Sequence, residues 1–118
     1  MSVLIVEDDL DMCLMLTFIL KSKNIPSSFV NSISEAKKVF VKSYPELVLL
    51  DNQLPDGKGI NFISYARNNY PETKIVMITG KSNEKVKQVA LEKGASFFVA
   101  KPFKTEELSE IIDEVFSI

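Results

Sequence analysis

Four runs of four apolar residues constrain this chain more than any other feature: Val3-Leu4-Ile5-Val6, Leu47-Val48-Leu49-Leu50, Ile75-Val76-Met77-Ile78 and Phe97-Phe98-Val99-Ala100. Each is apolar on successive residues instead of alternate ones. A strand of that kind buries both faces, which is the mark of a parallel sheet covered by helices on each side. A fifth, weaker strand is expected near residues 28–30. Between the runs the period changes to that of a helix. Leu108, Ile111, Ile112, Val115 and Phe116 fall at i, i+3, i+4, i+7 and i+8 of a final helix, and Val86, Val89 and Ala90 make a shorter stripe. Met12, Met15, Leu16, Ile19 and Leu20 form the core-facing stripe of the first. Ser32-Ile33-Ser34-Glu35 has the spacing of a capping box and should open the second helix, while Gly94 suits the end of the fourth. The order βαβαβαβαβα with right-handed crossovers gives an α/β fold, a doubly wound five-stranded parallel sheet with helices on both faces. The chain has 118 residues, and residues 1–118 are expected to form a single domain with no room for a second, output domain.

Ligands of such sheets bind beyond the carboxyl ends of the strands. There the first run is followed by Glu7-Asp8-Asp9, the third strand by Asp51, the fourth by Thr79-Gly80 and the fifth by Lys101-Pro102. Carboxylates, a hydroxyl and an ammonium therefore converge on one rim from distant parts of the sequence. Crowded carboxylates repel unless they are protonated or share a cation. The chain has no histidine and one cysteine, Cys13, so a metal here must be held by oxygens, which points to Mg²⁺, Mn²⁺ or Ca²⁺. A carboxylate beside such a cation can attack phosphorus and form an acyl phosphate, with the cation, Lys101 and Thr79 covering the phosphoryl oxygens. Asp9 and Asp11 are assigned instead to capping the helix that starts near Leu10. Asp56-Gly57 and Gly59 read as loop formers. Cys13 reads as a small apolar helix residue, not a reactive thiol.

Composition removes several other classes. A net charge of −2 argues against a general binder of nucleic acid or of membrane surfaces. The sequence lacks the long apolar run that a membrane-spanning helix requires, and its start has no basic residue before the first apolar run, so no signal peptide is expected. A cytoplasmic location is expected by default.

At the four segments 3–9, 47–59, 77–80 and 94–103, the last reading G-A-S-F-F-V-A-K-P-F, the chain resembles the response-regulator receiver family of two-component signalling. The resemblance covers essentially the whole chain. It implies the flavodoxin-like (βα)5 fold with strand order 2-1-3-4-5. It also implies Asp51 as phosphoacceptor, with Asp8 a direct Mg²⁺ ligand, Glu7 acting on the metal through water and Gln53 giving its backbone carbonyl; Mn²⁺ is an alternative ion. Lys101 would pair with the phosphoryl group, its bond to Pro102 being cis. Thr79 and Phe98 would be the switch pair, the ring of Phe98 turning into the space that Thr79 leaves. The side chains of Gln53 and Lys81 would lie near the path of attacking water and tune the lifetime of the phosphoryl group, Lys81 by shielding it. The implied partners are a histidine kinase or histidine phosphotransfer protein and a downstream protein target. The domain would catalyse only its own phosphorylation and dephosphorylation.

Two features are this sequence's own. Leu14 and Phe18 lie off the inward stripe of the first helix, and the resemblance places the histidine-bearing partner on that helix, so both are expected to belong to its docking face. The last helix carries Glu106, Glu107, Glu110, Asp113 and Glu114 with no basic residue after Lys104, which disfavours the charge-paired dimers of family members that act as transcription factors. Two rival readings are an unphosphorylated pseudo-receiver scaffold and an Asp-nucleophile phosphohydrolase. The second needs an acid-base aspartate two residues after the nucleophile, where this chain has Gln53.

Overall fold

The computed structural model describes residues 2–80 and 83–117. Strands β1 (Val3–Val6), β2 (Ser27–Val30), β3 (Leu47–Leu50), β6 (Lys74–Thr79) and β7 (Phe97–Ala100) form one sheet. All its pairings are parallel, in the order β2-β1-β3-β6-β7. This is the expected 2-1-3-4-5 arrangement once β4 (Gln53–Leu54) and β5 (Gly57–Lys58) are set aside. Those two make a small antiparallel hairpin inside the connection that follows β3, which the sequence reading did not foresee.

The alternation expected of a doubly wound sheet is carried residue by residue. Val3 and Ile5, Leu47 and Leu49, and Val76 and Ile78 face one core, which α1 (Leu10–Ser22) closes with Cys13, Leu16 and Leu20, and α5 (Thr105–Phe116) with Leu108 and Ile112. Leu4 and Val6, Val48 and Leu50, and Ile75 and Met77 face the other, against α2 (Ile33–Lys42), α3 (Gly59–Asn69) and α4 (Glu84–Lys93). The second layer is aromatic at its centre, with the Phe40 and Phe62 rings edge to face at 5.3 Å. β1 and β3 are buried throughout. The expectation of burial on both faces fails for β7. Its Phe97 and Phe98 are half-buried and Ala100 is exposed, because β7 is the last strand of the sheet and has a neighbour on one side alone.

The helix ends follow their caps. Asp9 accepts from the backbone N–H groups of Asp11 and Met12 at the start of α1, as expected, and Ser32 Oγ accepts from Glu35 N at 3.2 Å. Gly94, at φ +120°, ends α4. At the amino ends of the strands, Arg67 donates to the carbonyls of Pro71, Thr73 (2.8 Å) and Gly94 (3.1 Å). Buried Thr73 donates its hydroxyl to the Pro45 carbonyl at 2.8 Å.

Candidate functional site

Val6 and Leu50 pair across β1 and β3, so the residues that follow them leave the sheet side by side. The result is a group of carboxylate oxygens from Glu7, Asp8 and Asp51 all within 4.8 Å of one another. Glu7 and Asp51 are buried, at 3% and 6% exposure, while Asp8 is open to solvent. Lys101, leaving β7 through a cis bond to Pro102, brings its Nζ to 2.8 Å from Glu7 Oε1 and 3.7 Å from Asp51 Oδ1. Its own N–H bonds the Thr79 carbonyl at 3.0 Å, which ties the Lys101 backbone to the end of β6.

The electrostatics are those of an anion-rich pocket. Burial first, and then the charge of Glu7, push the Asp51 carboxyl up to about 6, against the ammonium of Lys101 and the backbone N–H groups of Gln53 and Asn52. Burial alone would lower Lys101, but the hydrogen bond to Glu7 and the charges of Asp51 and Glu7 outweigh it and hold the ammonium upward. Glu7 uses one oxygen on Lys101 and the other on the Asp9 N–H at 3.1 Å. Asp51 Oδ1 accepts the Asn52 N–H at 2.9 Å and Asp8 is open to solvent, whereas both oxygens of Glu7 are committed, one to Lys101 and one to the Asp9 N–H. An all-oxygen donor set with excess negative charge fits a small hard divalent ion.

Thr79 is buried at the end of β6, and Phe98 lies on the neighbouring β7, opposite Met77. Thr79 and Met77 have the same parity along β6, and Phe98 packs on the core face that Met77 lines, so Thr79 and Phe98 share one side of the sheet. The half-buried Phe98 borders an open groove of about 470 Å³ together with Lys87, Ala100 and Glu107. Lys81 lies outside the described residues.

Gln53 opens β4 and is half-buried. Three residues around it do more than the sequence suggested. Buried Asn52 accepts the Ile60 N–H on its side-chain oxygen at 2.9 Å, and its carbonyl accepts from Gly59 N at 2.9 Å, so it both closes the loop after β3 and caps α3. Gly59 has a physical reason beyond loop formation: a Cβ there would stand 2.2 Å from the Asp51 carbonyl oxygen. Asp56, read as a loop former, bonds the first N–H groups of α2, an arrangement no local pattern announces.

Leu14 and Phe18 are indeed turned outward, at 54% and 72% exposure. Phe18 also lines a groove of about 250 Å³ with Ile19, Thr105 and Ser109, between α1 and α5. On α5 the acidic face is exposed at Glu106, Glu107, Glu110 and Glu114, while Asp113 is paired with Lys23 at 2.5 Å. Cys13 is fully buried, its thiol donating to the Glu7 carbonyl, and burial followed by the Glu7 charge pushes it up to about 11, as suits an inert residue.

The fold and this rim define a class: a doubly wound α/β module with an acidic, oxygen-lined pocket at the carboxyl edge of its central strands. Residues 3–113 match the family described as the response regulator receiver domain, and the chain belongs to that family. Among curated relatives it is 35% identical over 106 residues to the DNA-binding response regulator MtrA of Mycolicibacterium smegmatis, covering 90% of this chain and 46% of that protein. It is 31% identical over 108 residues to the phosphate regulon transcriptional regulatory protein PhoB of Escherichia coli, covering 90% and 47%. The chain thus spans less than half the length of these relatives. Among solved structures, the beryllofluoride-activated NtrC4 receiver domain dimer superposes with a TM-score of 0.93 at 30% identity, over 98% of this chain and 96% of that one. A CheY-like receiver domain protein from Methanospirillum hungatei gives 0.92 at 26% identity, over 98% and 93%. Among the described residues no helix is long and apolar enough to cross a membrane.

Proposed function

We propose that this receiver domain accepts a phosphoryl group on Asp51 from the phosphohistidine of a histidine kinase or phosphotransfer protein. The observation that carries the reading is the buried Asp51 carboxylate, flanked by Glu7 and Asp8 and faced by Lys101. One oxygen of Asp51 bonds to phosphorus as the P–N bond of the donor breaks, and the electron pair of that bond stays on the imidazole. Asp8, Asp51 and the Gln53 carbonyl would hold Mg²⁺, with Glu7 acting through water, and the ion would neutralise charge on the phosphoryl oxygens; Mn²⁺ suits the same donors. Lys101 leaves Glu7 to pair with the new dianion, and the Thr79 hydroxyl bonds another of its oxygens. The movement of Thr79 frees space for Phe98, and the groove that Phe98 borders changes shape for a downstream protein target.

Turnover of external phosphoesters is not part of this reading, because Gln53 cannot act as acid or base. Gln53 and Lys81 set the lifetime of the phosphoryl group, and Lys81→Ala should speed its loss. The acidic face of α5 makes direct nucleic-acid binding by this domain unfavourable, and the setting is cytoplasmic, where the kinases' phosphohistidines are presented. Intact mass after treatment with acetyl phosphate and Mg²⁺ tests the core of the proposal. One labile phosphoryl that requires Mg²⁺ and is missing from Asp51→Ala is expected. If wild type gains no adduct and also fails to bind beryllofluoride, the scaffold reading replaces this one.

Leu14 and Phe18 form part of the docking face for the histidine-bearing partner. Leu14→Lys should slow transfer from that partner by about ten-fold, as for a lost apolar interface anchor, and leave acetyl phosphate as effective as before. Equal loss with both donors would remove docking as the explanation.

A further inference from the structure

The loop that carries the acceptor site is fastened to a helix on which no acceptor residue lies. Asp56 reaches across from the β4–β5 hairpin to the start of α2, where Oδ1 accepts the Ile33 N–H and Oδ2 the Ser34 N–H, both at 2.9 Å. These two bonds hold its carboxyl below the usual range. An apolar contact stands beside the polar one. A Cβ placed on Gly57 would lie 3.2 Å from Ile33 Cδ1, so the hairpin backbone rests on the side chain whose N–H Asp56 holds. Gly57 sits at φ +151°, a backbone conformation that favours glycine. At its other end the loop is pinned to the acceptor strand by the Gly59 N–H on the Asn52 carbonyl and by the close approach of Gly59 to the Asp51 carbonyl. Residues 52–58 are therefore held at both ends, and Gln53 lies between the two fastenings.

We propose that Asp56 is a positioning residue, a clasp that uses the first turn of α2 to fix the acceptor loop and thereby the metal-facing backbone of Gln53. This rests on the reading of Asp51 and Gln53 as metal-facing groups. Asp56 touches neither phosphoryl nor metal; it acts through the hairpin. The capping hydroxyl of Ser32 bonds Glu35 N at 3.2 Å and meets the Ser34 hydroxyl at 3.4 Å within the same helical turn, so it supplies a control that removes a cap and leaves the Asp56 carboxylate in place.

The test compares wild type, Asp56→Ala, Asp56→Asn and Ser32→Ala by two readouts. The first is amide hydrogen exchange at Gly59 and Ile60 in metal-free protein. Asp56→Ala should accelerate both by about ten-fold, as a loosened local unit does, and Ser32→Ala should leave them within about two-fold. The second is a titration with Mg²⁺ alone, followed by amide chemical shifts. Asp56→Ala should weaken binding by about ten-fold, the low end for residues that act behind metal ligands, with Asp56→Asn in between because an amide offers one acceptor oxygen instead of two. Urea unfolding of each variant separates this from global loss of fold. Unchanged exchange in Asp56→Ala overturns the clasp. Faster exchange with unchanged Mg²⁺ affinity overturns the positioning role, as do equal effects of Ser32→Ala and Asp56→Ala. Wild type that binds no Mg²⁺ defeats the underlying reading of the site, and with it the positioning role, whatever the exchange data show.

Discussion

The two rims of the sheet are built from the same strands and have opposite characters. At the amino rim, one guanidinium from Arg67 satisfies three backbone carbonyls, and the buried Thr73 hydroxyl takes a fourth. Polar groups there are matched to partners, and the rim is settled. At the carboxyl rim, among the described residues, three carboxylates face the Lys101 ammonium, and two of the three are buried. Among the described residues that rim carries more negative than positive charge. A domain can concentrate electrostatic strain in one place when its other buried polar groups are paired, and on the reading proposed above a bound cation would relieve it here.

The contrast can be broken from either side. The largest effect is expected at the settled rim. Arg67→Ala deletes three bonds to carbonyls, two of them in part-buried positions, and should cost about 3 kcal/mol in urea unfolding, leaving the Mg²⁺ affinity of the folded protein unchanged. At the charged rim the sign reverses. Asp51→Asn should stabilise the metal-free protein by about 2 kcal/mol at neutral pH, since it removes a charge held in an unfavourable place. A carboxyl raised to about 6 by folding binds its proton more tightly in the folded state than in the unfolded one. The stability it lends is therefore complete below its unfolded value, near pH ~4, and is lost as pH rises through the folded value. Wild type in chelator should lose stability across that window, and Asp51→Asn should lose less. Parallel curves for the two proteins would show that Asp51 is not the source. The smallest effect sharpens the cause. Glu7→Gln removes the second contribution to the shift and leaves burial in place, so the Asp51 carboxyl, followed by carbon NMR, should fall by less than about one unit. A return to the ordinary aspartate range would mean that charge outweighs burial.

Much of this was legible along the chain, and the boundary has a physical basis. The runs 3–6, 47–50 and 97–100 became strands over those same residues, because a parallel sheet with helices on both faces needs successive apolar side chains. The partial exposure of β7 was not legible from its apolar run, since position in the sheet order decides it and composition does not. In the site, Glu7, Asp8, Asp51, Thr79 and Lys101 could be gathered by one rule, that ligands meet the carboxyl ends of strands. Asn52 and Asp56 could not. Their partners, Ile60 for one and Ile33 and Ser34 for the other, are reached through the fold of a loop, and no local spacing encodes a bond between residues 33 and 56. The outward position of Leu14 and Phe18 followed from helical period alone. Lys81 lies outside the described residues, and the part proposed for it is tested by the rate at which Lys81→Ala loses its phosphoryl group.

The sealed thiol of Cys13 has a practical consequence for every experiment above. With no tryptophan in the chain and its one cysteine fully buried and far from ionising at neutral pH, the native surface is blank to thiol-directed dyes and spin labels. A cysteine introduced at an exposed point such as Val41 can then be tagged with no need to strip out Cys13, whose replacement would disturb the core. The domain offers a ready background on which distances and docking can be watched one chosen position at a time.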